Sequence, residues 1–184
     1  MPYSREGLHV SMGGALDAWE PVAIAKTIQI AGKYGATIKY GELRDVVFAE
    51  TGIRHDGLLP NWIGQLLNRL IRYCNEQDIP QLSALVVRED GSVGDGYIAS
   101  LTPREKLEFG RSLDDLDDHA SRVRLSLYRY FGADLPPGGG EAMLTRQVRE
   151  ARDRRNCSTP KRDMGVCPTH NTVLPSTGRC DYCQ

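Results

Sequence analysis

Three cysteines and one histidine near the end of the chain have a spacing that suits a metal ion. Cys167, His170, Cys180 and Cys183 form the pattern C-x2-H-x9-C-x2-C. Two-residue gaps let each pair curl around one ion. The middle segment has hairpin length, with Pro175 and Gly178 as turn formers. Three thiolates and one imidazole complete a closed tetrahedral site, a ligand set of structural zinc. A closed site keeps no coordination position for a reacting water, so the expected role is structural rather than hydrolytic. Residues 164–184 carry few large apolar side chains, so one bound Zn2+ would supply their folding energy. Cys157, ten residues upstream, is an alternative ligand. Cys74 falls on a helical apolar stripe and reads as core. An odd total of five cysteines argues against a disulfide framework.

A second group of residues could read DNA. Between Pro60 and Gln77 the residues Ile63, Leu66, Leu67, Leu70, Ile71 and Cys74 recur at helical spacing. Asn61, Gln65, Asn68, Arg69 and Arg72 lie away from that stripe. Asn and Gln pair with adenine edges in the major groove, and Arg pairs with guanine. A third group is basic. Residues 141–163 hold seven Lys/Arg against four Asp/Glu, chiefly Arg146, Arg149, Arg152, Arg154 and Arg155. Such a run is a solvated helix face, a phosphate-contacting arm or a partner-docking arm.

Catalytic groupings are not evident. His9, His55 and His119 are scattered, with no defensible Ser-His-Asp or paired-carboxylate spacing. The glycine runs lack the strand-glycine-helix setting and the lysine of a phosphate loop. The acidic cluster Asp114, Asp115, Asp117 and Asp118 is explained by the positive end of a helix dipole. The expectation is a protein without enzymatic activity and without a small-molecule substrate.

The chain has 184 residues and a formal net charge of -1. That excludes a globally polybasic nucleic-acid binder but leaves room for a local basic face. Residues 1–100 carry nine Lys/Arg against twelve Asp/Glu, which weighs toward protein contacts in that half. Apolar runs are too short to cross a bilayer, and no leader pattern opens the sequence. The expected location is the cytoplasm, without membrane contact. Aromatics are 7% of the chain, so a mostly aliphatic core is expected.

These residues need elements to position them. Residues 1–13 read as a loose arm. Ala15–Tyr34 reads as a helix with Pro21 in its first turn, followed by a short strand or turn at 37–40. Gly41–Thr51 and Pro60–Gln77 read as helices. Leu82–Arg88 and Val93–Ile98 read as the two strands of a hairpin about the turn 89–92. Three helices and a hairpin give the order of a winged helix-turn-helix at 15–100. A helical segment at 102–132 follows, with Thr102 capping one start and Ser112 another. Residues 133–140 read as a Pro/Gly linker, 141–163 as the basic helix and 164–184 as the metal module. The fold class is mainly α with a small β wing.

Two resemblances sharpen this reading. The terminal module is similar to a small zinc ribbon. The stretch from about Ile28 to Tyr97 resembles the DNA-binding domain of the O6-alkylguanine DNA alkyltransferases and alkyltransferase-like proteins. The resemblance rests on Tyr40-Gly41-Glu42-Leu43, Ile63-Gly64, Leu85-Val86-Val87, Asp90-Gly91 and Gly94-Asp95-Gly96-Tyr97. It implies a phosphate contact for Tyr40. It also places Ser83 where the family has its nucleophilic cysteine, Ala84 at the following histidine, and Asn61 at the arginine that fills the gap of a flipped base. Alkyl transfer needs an activated thiolate, so that activity is not expected here. The resulting expectation is a non-enzymatic duplex-DNA-binding protein, a regulator or a phage-type accessory factor. In it Tyr40, Asn61, Gln65, Asn68, Arg69, Arg72 and the wing cation Arg88 contact DNA. The rival is a module that modulates a nucleoid or transcription complex through protein contacts. A weaker third reading is a sensor of O6-alkylguanine.

Overall fold

The computed structural model describes residues 1–108, 113–158, 166–172, 179–180 and 182–183. It divides into two compact units, Met1–Arg149 and Glu150–Gln184. The architecture is mainly helical with a small strand content. The expected start at Ser112 and the turn at Pro175 and Gly178 lie outside the described residues.

In the first unit, helix α1 spans Met12–Ala31. Ser11 caps it, its hydroxyl accepting from the Gly14 N–H at 3.1 Å. The helix therefore starts earlier than the pattern suggested, and Pro21 sits in its interior rather than its first turn. Its missing N–H leaves the Asp17 carbonyl without the usual helical donor. Strand β2 (Ile38–Lys39) leads into α2 (Tyr40–Thr51), where the Glu42 carboxylate accepts from the Lys39 N–H. Gly52 stops α2 at φ 71°, a left-handed position that suits glycine. A short 3-10 turn, Leu59–Asn61, precedes α3 (Ile63–Gln77). Asp78 ends α3 at φ 51°, two residues ahead of the proline expected to do so.

The N-terminal arm is not loose. Strand β1 (Pro2–Tyr3) pairs antiparallel with β3 (Arg54–His55), and the Tyr3 hydroxyl donates to Asp56 at 2.7 Å. Helix α1 packs against α2 and α3, and its core is largely aliphatic. The core also holds an aromatic cluster that composition concealed. Trp19 of α1, Phe48 of α2 and Trp62 beside α3 meet with ring centroids 4.8 to 5.6 Å apart. Both tryptophans are buried. Few aromatics can therefore still dominate the junction of three helices.

The hairpin expectation needs correction. Residues Leu82–Leu85 form a 3-10 turn, not a strand. Only Val86–Val87 is extended, as β4, and it pairs parallel with β2 (Ile38 with Val86, Lys39 with Val87). The returning segment is another 3-10 turn, Asp95–Ser100. The Arg88 N–H still bonds the Ser92 carbonyl at 2.8 Å, closing the expected reversal. The reason lies in what the segment touches. Two of its main-chain groups, the Ala84 carbonyl and the Val93 N–H, bond a later helix rather than a returning strand.

That helix is α5 (Leu113–Tyr130), preceded by α4 (Pro103–Glu108). The expected cap of α4 is present, with Thr102 and Glu105 bonded to each other and to each other's main chain. From α5, buried Asp117 accepts from the Val93 N–H at 2.8 Å. Buried Arg124 donates to the Ala84 carbonyl at 3.1 Å. The glycine stretch 138–140 is entirely left-handed. It is fastened to α5, because Arg129 donates to the Gly139 carbonyl. Tyr34 and Glu141 exchange two hydrogen bonds just beyond it. Helix α6 spans Arg146–Ser158, shorter at its start than the expected 141–163. No helix among the described residues is long and apolar enough to cross a membrane.

Gly94 shows how tightly the 86–97 segment meets α2. A Cβ at this position would collide with the Tyr40 hydroxyl. Gly94→Ala should lower the stability of the first unit by about 1–3 kcal/mol, the usual cost of overpacking. Thermal denaturation of the variant checks this.

Candidate functional sites

The metal-binding expectation is met in its coarse form. Cys167, His170, Cys180 and Cys183 bring their ligand atoms within 4.8 Å of one another. The Cys183 Sγ lies 3.2 Å from His170 Nδ1, and the Cys167 and Cys180 sulfurs lie 3.7 Å from it. Cys167 and Cys183 are 3.6 Å apart at sulfur. A tetrahedral ion with metal–sulfur bonds of about 2.3 Å needs ligand edges of about 3.5–3.8 Å. Most of these separations already approach that size, so the donor set fits a single ion. Local backbone explains the convergence. The Asn171 N–H bonds the Cys167 carbonyl and the Cys167 N–H bonds the Thr172 carbonyl, a tight loop that turns His170 back toward Cys167.

The thiols are polarised for this role. Main-chain N–H groups of His170 and Thr169 pull the Cys167 thiol down to about 7. The Tyr182 N–H lowers Cys180. Without a cation, crowding by Cys167 pushes Cys183 up to about 11. A bound dication would invert that last effect by stabilising all three thiolates. Cys157 is exposed at the end of α6 and lies outside the cluster. Cys74 is buried core, with its sulfur accepting from the Leu82 N–H at 3.3 Å.

The DNA candidates separate into two groups. Asn61, Gln65, Asn68 and Arg72 are exposed. Their spacing of four, three and four residues puts them along one side of the 3-10 turn and α3. Arg69 behaves differently. Its guanidinium bonds Asp17 at 2.6 Å and Glu20 at 2.8 Å, both on α1, with its side chain 20% exposed. It holds two helices together and is not presented to a groove. Arg72 is also paired, with Glu20 at 3.4 Å and Glu76 at 3.7 Å. Sequence periodicity placed Arg69 off the apolar stripe but could not reveal the carboxylates on the neighbouring helix. Arg69→Ala should destabilise the first unit by about 1–2 kcal/mol, because half-buried Glu20 loses its main partner. Chemical denaturation measures it.

Tyr40 and Arg88 lie on the wall of a cleft of about 680 Å³. Ile63, Leu67 and Ile71 of α3 form one side, while Val86 and Tyr97 belong to the other. Arg88 bonds Asp95 at 2.9 Å. Burial raises the Tyr40 phenol above its ordinary pKa. Ser83 also lines the cleft, with its hydroxyl buried and unpartnered among the described residues. Among the described residues that line the cleft there is no cysteine. Sequence reasoning noted Ser83 only as a missing nucleophile and gave no sign of the cavity beside it.

On α6, Arg146, Arg149, Arg154 and Arg155 are exposed and Arg152 is half-buried. The acidic cluster is structural in part, since buried Asp117 accepts a main-chain hydrogen bond. Comparison of the chain with family models, with curated proteins and with solved structures finds no match.

Proposed function

We propose that the chain is a non-enzymatic duplex-DNA-binding protein whose phosphate contacts come chiefly from α6. The observation that carries this reading is the density of arginine on that helix. Five of the ten residues from 146 to 155 are arginine, against two acids, and four of those arginines are exposed. Phosphate neutralisation by such side chains supplies most sequence-independent affinity. In this reading the Cys3His cluster holds one structural Zn2+, as a small ribbon following the basic helix. Helices α2 and α3 act as the helix-turn-helix of a winged-helix domain, with residues 86–97 in the place of the wing. Asn61, Gln65 and Asn68 supply base contacts, and Tyr40 lies beside a phosphate, as the alkyltransferase-like resemblance suggests. Ser83 in place of a thiol supports a role without alkyl transfer. A regulator or phage-type accessory factor fits such a protein.

Crosslinking to a short duplex, followed by peptide mapping, tests the reading. Crosslinked peptides should come from α6 and from the exposed side of α3. A crosslink map confined to other surfaces would contradict it.

One observation favours a second reading, a protein-interaction module acting on a nucleoid or transcription complex. Lys39, Arg69, Arg72 and Arg88 each face a carboxylate, so much of the first unit's positive charge is neutralised internally. A partner retained from nuclease-treated lysate, together with no affinity for duplex, would select this reading.

A further inference from the structure

The start of α3 presents amides and no charge. Asn61, Gln65 and Asn68 are exposed, and none has a side-chain partner among the described residues. No Asp, Glu, Lys, Arg or His lies between Gly57 and Asn68. The arginines that follow are committed elsewhere. Arg69 is held by Asp17 and Glu20, and Arg72 by Glu20 and Glu76. Arg88, which lines the same cleft as Asn68, is held by Asp95.

Gly64 shares the side of the helix on which these amides lie, three residues after Asn61 and four before Asn68. It is exposed, and a Cβ added there would meet no atom of the rest of the protein within 4 Å. Packing therefore does not require glycine, and a helix interior is less stable with glycine than with alanine. What glycine does allow is a close approach of the backbone to another molecule.

Hydrogen-bond chemistry then selects the base pair. In the major groove adenine offers its N7 acceptor beside its N6 donor, and an Asn or Gln amide matches both at once. Guanine offers two acceptors, N7 and O6, which suit the paired donors of a guanidinium. An amide approaching both sets its own carbonyl oxygen against one of them. The first turns of a recognition helix are the ones that meet base edges. In α3 those turns carry amides, while the guanidiniums come later and are paired.

We infer that α3 reads A·T base pairs in the major groove. Gln65 and Asn68 contact adenine, Asn61 lies beside them, and Gly64 is the point of closest approach. The inference rests on the duplex binding proposed above and adds the class of sequence recognised. Specificity comes from the uncharged start of α3 and affinity from phosphate contacts made elsewhere, a common division in DNA-binding proteins.

Fluorescence anisotropy of the full chain, loaded with zinc, against three labelled duplexes of equal length tests this. One contains only A·T pairs, one contains only G·C pairs, and the third is the A·T duplex with 7-deazaadenine in place of adenine. That base keeps its pairing and its minor-groove edge but lacks the N7 acceptor. The A·T duplex should bind about tenfold or more tighter than the G·C duplex, the discrimination of one bidentate contact. The deaza duplex should lose most of that advantage. Gln65→Ala with Asn68→Ala should bring the A·T and G·C duplexes to similar affinity and leave the residual binding salt-dependent. Gly64→Ala should raise the melting temperature of the protein while weakening its hold on the A·T duplex. A purely structural glycine would not give those opposite signs. Equal affinity of the wild type for the A·T and G·C duplexes would overturn the inference and leave duplex binding standing. So would an A·T preference that survives the deaza substitution. No binding to any of the three would overturn both the inference and the reading beneath it.

Discussion

Arg149→Glu with Arg154→Glu should weaken duplex binding about 100-fold at moderate salt. Both side chains are exposed on α6, so the fold should be unaffected. Each arginine that bonds a phosphate contributes roughly 1.5 kcal/mol or more as a charge-assisted contact. Two lost contacts amount to about 3 kcal/mol, or two decades in affinity, before any repulsion from the new carboxylates. The salt dependence should change as well. Losing two phosphate contacts should flatten the log–log slope by about two. A parallel reversal at Arg72 should cost less, because its guanidinium is already shared between Glu20 and Glu76. Fluorescence anisotropy with a labelled duplex measures all three. A double variant that binds like the wild type would remove α6 from the interface.

The second large effect concerns the metal. Cys167→Ser should reduce bound zinc from one equivalent to well below half. Cys167 is the buried member of the cluster, and its sulfur meets both His170 and Cys183. Structural zinc of this kind contributes roughly 10–16 kcal/mol of apparent binding energy at neutral pH, which is folding energy for a segment with little core. The variant, or the wild type after chelation, should therefore expose residues 150–184 to proteolysis. The unit Met1–Arg149 should melt at nearly the same temperature, because its core is built from its own helices. Acidification should release the metal, since the ligating thiolates and imidazole must be deprotonated. Metal analysis against pH, combined with limited proteolysis, checks both parts. Full resistance of the chelated tail would contradict a structural role.

Parts of this arrangement were legible in the sequence because they depend on local spacing. The C-x2-H-x9-C-x2-C pattern brings its four ligands together without help from distant residues. The α3 stripe, the Gly52 stop and the Thr102–Glu105 cap follow the same logic. What stayed hidden depends on distant partners. Residues 82–98 have strand-like composition, yet Asp117 and Arg124 of α5 bind their polar groups and hold much of them in 3-10 turns. Arg69 lies off the apolar stripe, but Asp17 and Glu20 arrive from a helix some fifty residues away. Pro2 and Tyr3 carry no strand signal of their own, and they are ordered by distant partners, through pairing with Arg54 and His55 and the Tyr3–Asp56 hydrogen bond. The cleft beside Ser83 has no sequence signature, because it is the space left between α3 and a segment shaped by α5.

The most direct test of DNA binding is the affinity of zinc-loaded protein for a short unmodified duplex across a salt series. Five arginines on α6 predict binding at low salt that weakens steeply, with a log–log slope of about -3 to -5. No binding at the lowest salt, or an affinity indifferent to salt, would contradict the account and turn α6 and the metal module into protein-docking surfaces.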